Sequence, residues 1–210
     1  RLDGAGRDDP ALTETASRFP LHVGDVLEHR SYEEGKKRLT STALTAGYRD
    51  VAFTSRTVEV NPEQYRATIH LVLDTGPQYY FGETSFAADF INHTFLQRLL
   101  PYKEGEPFSP KVLVELRQVL LGSEYFSTVE VITGEPSPES RKVPVLVTLA
   151  PRNPNKYSFG IGYGTDTGTR GSVEWISRLF NRYGHQVSVQ LQPSERKNLF
   201  GGVYTIPIRD

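Results

Sequence analysis

The chain has no cysteine among its 210 residues, which excludes disulfides, thiolate metal ligands and a cysteine nucleophile. It has no excess of charge of either sign: 24 Lys and Arg stand against 25 Asp and Glu, so no overall positive field draws nucleic acid. No stretch reaches the ~20 consecutive apolar residues of a membrane helix. Arg1 is followed by no basic-then-apolar leader, and the expectation for an exported protein is that its signal has been removed or is not included in this sequence. These absences leave the membrane open, because a spanning strand needs only ~9–11 alternating residues. At 37% apolar and 23% charged, with 18 Gly and 14 Pro, the composition is that of a folded, turn-rich chain.

What is there is an internal repeat. Pro20 to Asp25 reads Pro-x-x-x-Gly-acid, and so does Pro101 to Glu106. A helix start follows each copy: Ser31 with Glu34 has the form of a capping box, and Ser109-Pro110 places an N-cap before a first-turn proline. Apolar stripes follow at helical spacing, Tyr32, Leu39, Ala43 and Ala46 in the first copy and Val112, Leu116, Val119 and Leu120 in the second. Then come β-type segments at Val51–Val60 and Tyr125–Thr133, turns at Asn61-Pro62 and Gly134–Pro138, and closing strands. The latter alternate as Tyr65, Ala67, Ile69, Leu71 and Leu73, and as Val143, Val145, Val147 and Leu149. Upstream of each copy lies a short helix, Pro10–Arg18 capped by Asp9 and Thr94–Leu100 capped by Asn92, preceded by a strand that is a stub at Arg1–Asp3 and clear at Tyr79–Phe86.

Each unit thus reads strand, helix, helix, strand, strand. With the Gly-acid before the second helix, an aromatic opening the second strand and the junction Asp74 to Gly82, it resembles the POTRA (polypeptide-transport-associated) domain over residues 1–150. The expected fold class is α+β, with POTRA domains at 1–76, its first strand truncated, and 77–152, and an incomplete antiparallel transmembrane β-barrel at 153–210.

The last segment carries the barrel expectation. Tyr157, Phe159, Ile161 and Tyr163 share one face while Ser158, Gly160, Gly162 and Gly164 take the other. Similar alternation recurs at Val173–Trp175, Val187–Leu191 and Phe200–Ile208, with turns at Asp166–Thr169, Asn181–Gly184 and Pro193–Arg196. Four strands in an up-and-down meander, apolar outward and small or polar inward, read as the start of a membrane barrel. The run from Tyr157 to Gly168 resembles the opening strand of the POTRA-plus-barrel assembly and secretion superfamily, and Arg178 to Tyr204, with Asn181-Arg182-Tyr183-Gly184-His185, is most similar to its TamA-type branch. A whole protein of that kind has about sixteen barrel strands, so the chain is expected to be a fragment. An open sheet in lipid exposes unpaired backbone, and its last segment is expected to be disordered, mispaired or paired with another copy.

Sharper chemistry finds no support. The glycines at 160–164 are followed by no helix, as a phosphate cradle requires. His22, His29, His70, His93 and His185 form no close helical pair, and no Gly-x-Ser-x-Gly element occurs. No catalytic residue, metal site or cofactor is expected, and hydrolase assays are expected to be blank. Glu33-Glu34 and Asp8-Asp9 read as helix-start carboxylates. The resemblance implies backbone recognition instead. In POTRA domains the second strand lies at a sheet edge, here Val51, Phe53, Val58 and Val60 in one module and Phe126, Val129 and Val131 in the other, open to β-augmentation. Arg56, Glu59 and Glu130 would equally serve to blunt those edges. The first barrel strand, with Tyr157, Phe159, Gly160, Ile161, Gly162, Tyr163 and Gly164, would border a lateral seam. The implied partners are unfolded outer-membrane β-barrel or autotransporter clients, an inner-membrane-anchored assembly partner, and outer-membrane lipid through the intact barrel, with no nucleic acid. The implied place is the bacterial outer membrane with its POTRA domains in the periplasm. The other readings are a two-partner secretion transporter, a central barrel-assembly protein, or a periplasmic scaffold.

Overall fold

The computed structural model describes residues 1–165 and 168–207; Asp166, Thr167 and Ile208, part of the expected first turn and the end of the expected fourth strand, lie outside the described residues. The backbone divides into two compact units. One comprises Arg1–Thr84, Tyr102–Leu113 and Thr133–Val145, and the other Ser85–Pro101, Val114–Ile132 and Leu146–Asp210.

The first unit opens with β1 (Leu2–Asp3) and α1 (Pro10–Ser17). The Asp9 carboxylate accepts from the Ala11 and Leu12 amides at 2.9 and 3.3 Å, and Pro10 at the first helical position has no N–H to leave unpaired. In α2 (His29–Thr45) the expected capping box is corrected: the capping position is Glu28, whose side chain makes no cap bond. The Ser31 hydroxyl donates to Glu28 at 2.8 Å and Glu34 pairs with Arg38 a turn later, so both groups are satisfied within the helix. Tyr32, Leu39 and Ala43 are buried on one face of α2, and Ala43 joins Leu12 and Tyr48 in a core cluster edged by Leu2, Ala46 and Val51.

Against this face lies a sheet of order β1-β3-β2, in which β2 (Ala52–Asn61) pairs antiparallel with β3 (Arg66–Asp74) and β1 pairs parallel with β3. Tyr65, expected to open β3, is instead in the turn at φ 48° and fully exposed, because the Asn61 side chain accepts from the Glu63 and Gln64 amides and bends the chain first.

The second repeat has β4 (Tyr80–Ala87), α3 (His93–Gln97), α4 (Pro110–Gly122), β5 (Phe126–Thr133) and β6 (Lys142–Pro151), with sheet order β4-β6-β5, the same as the first repeat's. Asn92 caps α3 through the Thr94 and Phe95 amides. Ser109 precedes α4 as expected, but among the described residues its buried hydroxyl has no hydrogen-bond partner, so its side chain makes no cap. On β6, Val143, Val145, Val147 and Leu149 are buried and their neighbours are not. In the first unit Phe81 stacks on Tyr102 with centroids 3.8 Å apart; in the second, Phe95 meets Tyr125 edge-on at 5.7 Å.

The second unit also holds a four-stranded antiparallel sheet in the order β10-β9-β8-β7, built from β7 (Asn155–Gly164), β8 (Gly168–Ser177), β9 (Gln186–Gln192) and β10 (Leu199–Thr205). The expectation of a disordered or mispaired final segment is corrected: consecutive strands pair in continuous register, with Tyr157 opposite Trp175, Trp175 opposite Val189 and Val187 opposite Tyr204. The fold is α+β, with two strand-helix-helix-strand-strand repeats followed by an open four-stranded sheet.

Candidate functional site

Strand order exposes one side of β2. Its pairing with β3 shifts between Phe53 and Ser55, and this bulge changes which residues face the helices. Residues directly opposite across antiparallel strands share a face, so Phe53, Arg56, Val58 and Val60, opposite Leu73, Leu71, Ile69 and Ala67, lie on the helix side. Val51 precedes the strand and packs at the edge of the core cluster. Phe53 and Val58 are half-buried and Val60 is exposed.

Between α2 and this edge is an open cleft of about 520 Å³, lined by Leu27, His29, Tyr32, Glu33, Lys36, Arg56 and Val58. The Lys36 ammonium sits 4.8 Å from the Tyr32 ring centroid and donates to Glu33 at 2.8 Å. That hydrogen bond holds the Glu33 carboxyl below its ordinary range. The cleft is a floor of aromatic and aliphatic surface beside an unpaired backbone, rimmed by charges of both signs. Sequence reading missed it, because Arg56 reads as an outward residue until the bulge shifts the phase. Val23 and Val26, in the loop before α2, are also strongly exposed.

The second edge strand, β5, differs. Phe126 and Val129 are buried in the protein interior and Val131 is half-buried, so a partner added to this edge would meet their backbone rather than their side chains. Glu59 and Glu130 are exposed on the two edges, where charge opposes edge-to-edge association.

The strand β7 pairs with β8 on one side and, among the described residues, has no partner on the other. Its Tyr157, Phe159, Ile161 and Tyr163 are 62%, 78%, 97% and 75% exposed, while Ser158, Gly160, Gly162 and Gly164 are half-buried on the opposite face. The apolar face continues across the sheet as the row Phe159, Val173, Leu191 and Phe200. A Cβ on Gly160 would sit 2.5 Å from the Ser172 hydroxyl, so the small face is sterically tight there. The glycines lie in a strand that continues into a second strand, without the helix N-terminus that a phosphate site uses. Among the described residues no group of three or more His, Asp or Glu side chains could hold a metal ion. His22 approaches Asp25 at 3.5 Å, and His70 is exposed on β3.

No family model matches the chain. The outer membrane protein assembly factor BamA of Buchnera aphidicola is 26% identical over 144 residues, covering 66% of this chain and 23% of that protein. The crystal structure of BamA from Haemophilus ducreyi lacking POTRA domains 1–3 has a TM-score of 0.76 at 17% identity, over 92% of this chain and 36% of that one. CdiB from Acinetobacter baumannii has a TM-score of 0.53 at 13% identity, over 87% of this chain and 34% of that one. The chain therefore spans about a quarter of the curated relative's length and about a third of these two structures. In fold, the chain is similar to these two structures: POTRA-like modules followed by an open sheet of antiparallel strands.

Proposed function

We propose that this chain is the periplasmic and first-strand portion of an outer-membrane protein insertion or translocation factor, which binds β-rich clients through its backbone and performs no covalent chemistry. The modules, at 1–76 and 77–152, lie in the periplasm, and the segment from 153 onward enters the outer membrane. The observation that carries the reading is β7: an unpaired strand edge, an apolar face turned to the surroundings, and a small face opposite. An extended client can add to such an edge through main-chain hydrogen bonds, whatever its sequence. The β2 edge offers a second acceptor, where the cleft beside Tyr32 and Lys36 takes alternate side chains of the added strand. The likeness to a named assembly factor supports insertion over other roles. The Asn181 to His185 turn favours the TamA-type branch, with an inner-membrane-anchored partner and with lipid contacted through the intact barrel.

The test is site-specific photocrosslinking of the full chain to an unfolded outer-membrane β-barrel precursor. Benzoylphenylalanine at Val60 and at Phe159 is expected to capture the precursor, and at Val114, equally apolar and exposed on α4, it is not. Capture from Val114 alone, or from none of the three, overturns the proposal.

A further inference from the structure

The turn joining β8 to β9 makes more specific contacts than a connection needs. Gly184 has φ +81°, and a Cβ there would lie 2.7 Å from the Phe95 ring. Its carbonyl accepts a buried hydrogen bond of 2.7 Å from the Tyr125 hydroxyl. Two residues earlier, the Arg182 carbonyl accepts from the Asn92 amide at 2.9 Å. At the start of the turn, Arg178 approaches Glu124 at 3.5 Å, and its amide donates to Pro154 at 2.7 Å. Apart from Pro154, the contacted residues, Asn92, Phe95, Glu124 and Tyr125, belong to the second repeat, and Tyr125 immediately precedes its edge strand β5.

We propose that the turn Arg178–His185 is a latch, with the Tyr125 hydroxyl and Gly184 as its keystone, which holds the start of β5 and the β7–β10 sheet as one body. This rests on the reading of β7 as a client edge and adds to it: with the latch closed, β7 keeps a fixed separation from β5, the edge strand of the β4-β6-β5 sheet, and a client reaching β7 is in a set relation to that second edge. Tyr125 and Gly184 act as positioning residues. The geometry is selective. A glycine is required by both the backbone angle and the aromatic ring beneath it, and the phenol's proton is donated to a carbonyl 59 residues away. Burial also pushes the Tyr125 phenol up, partly offset by a hydrogen bond with the Gln186 side chain.

The absence of cysteine makes the test clean. Nitroxides are attached to cysteines replacing Glu130 on β5 and Lys156 on β7, and their separation is measured by pulsed electron resonance on the full chain in detergent micelles. The parent is expected to give one narrow distance distribution. Tyr125→Phe keeps the ring against Phe95 and removes only the hydroxyl; it is expected to broaden the distribution at least twofold. Gly184→Ala is expected to do the same, while Tyr102→Phe, the same change at another buried tyrosine, leaves the width unchanged. Parent-like widths in both Tyr125→Phe and Gly184→Ala overturn the latch. Because the measurement uses no client, a failure of the client reading appears only in the crosslinking and leaves this result standing.

Discussion

The sheets of the repeats and the sheet of β7–β10 use the same two-residue alternation with opposite relations to their surroundings. On β6 the apolar residues Val143, Val145, Val147 and Leu149 are buried at 0 to 5% exposure. On β7 the apolar residues are the exposed ones, and the glycines and serine opposite them are shielded. A period of two therefore identifies a strand without saying which face meets water. The residue types on the second face decide it. The β6 neighbours of the buried valines include Lys142 and Thr148, which water accepts, whereas β7 alternates aromatic residues with glycine and leaves the aromatic residues exposed. Hydrocarbon is the surrounding that suits such a face.

Core truncation in the module gives the largest expected effect. Leu116→Ala, at a fully buried position on α4, is expected to cost about 3 kcal/mol, read as a fall in the urea midpoint of the module transition, with vesicle binding unchanged once folded. Next is Ile161→Arg on the exposed face of β7. In water it removes no buried contact, so the module midpoint should not move; in lipid an arginine near the midplane of a barrel face costs about 2–4 kcal/mol. Partition of the chain into phospholipid vesicles should fall by at least tenfold. If Ile161→Arg lowered the module midpoint and left vesicle binding intact, the contrast between the two regions would be reversed.

A smaller effect separates the helix starts within the repeats. Asp9→Ala removes the acceptor for two amides and is expected to cost about 1 kcal/mol by urea unfolding. Ser31→Ala removes only a surface bond to Glu28 and should stay within about 0.5 kcal/mol. Equal losses would restore Ser31 as a cap.

These helix starts also show where the amino-acid pattern was legible. Asp9 and Asn92 cap the helices expected of them because the cap, a side chain bonded to an amide two or three residues on, is local. The valines of β6 and the aromatic residues of β7 are legible for a similar reason, since alternation is set by the pleat. Ser31 misleads because the same local chemistry can be satisfied inside a helix. The cleft at Tyr32, Lys36 and Arg56 depends on the bulge after Phe53, and no residue type in Ala52–Val60 demands a bulge. The contact of Tyr125 with Gly184 joins positions 59 residues apart, a distance at which no periodic pattern operates. The glycine itself was visible, as part of a turn, but not the ring that requires it.

The smallest effect concerns pH and belongs to the module side of the contrast. Tyr102 is buried, stacked on Phe81, and shares a 2.9 Å hydrogen bond with Thr84. Burial pushes its phenol above the ordinary tyrosine range, partly offset by the Thr84 bond. In the unfolded chain a tyrosine ionises near pH ~10. Below that value both states are protonated and Tyr102 adds no pH dependence. Above it the unfolded state loses its proton first, the folded state holds more protons, and stability falls as pH rises until the raised folded value is passed. Tyr48 and Tyr125 are raised by burial in the same direction, so the alkaline decline is shared. Tyr102→Phe should therefore lower the urea midpoint slightly at pH 8, by loss of the Thr84 bond, and flatten but not abolish its decline between pH 9.5 and 11.5. An unchanged slope would mean that the Tyr102 phenol ionises alike in both states, and that the packing around Phe81 shields it less than its burial implies.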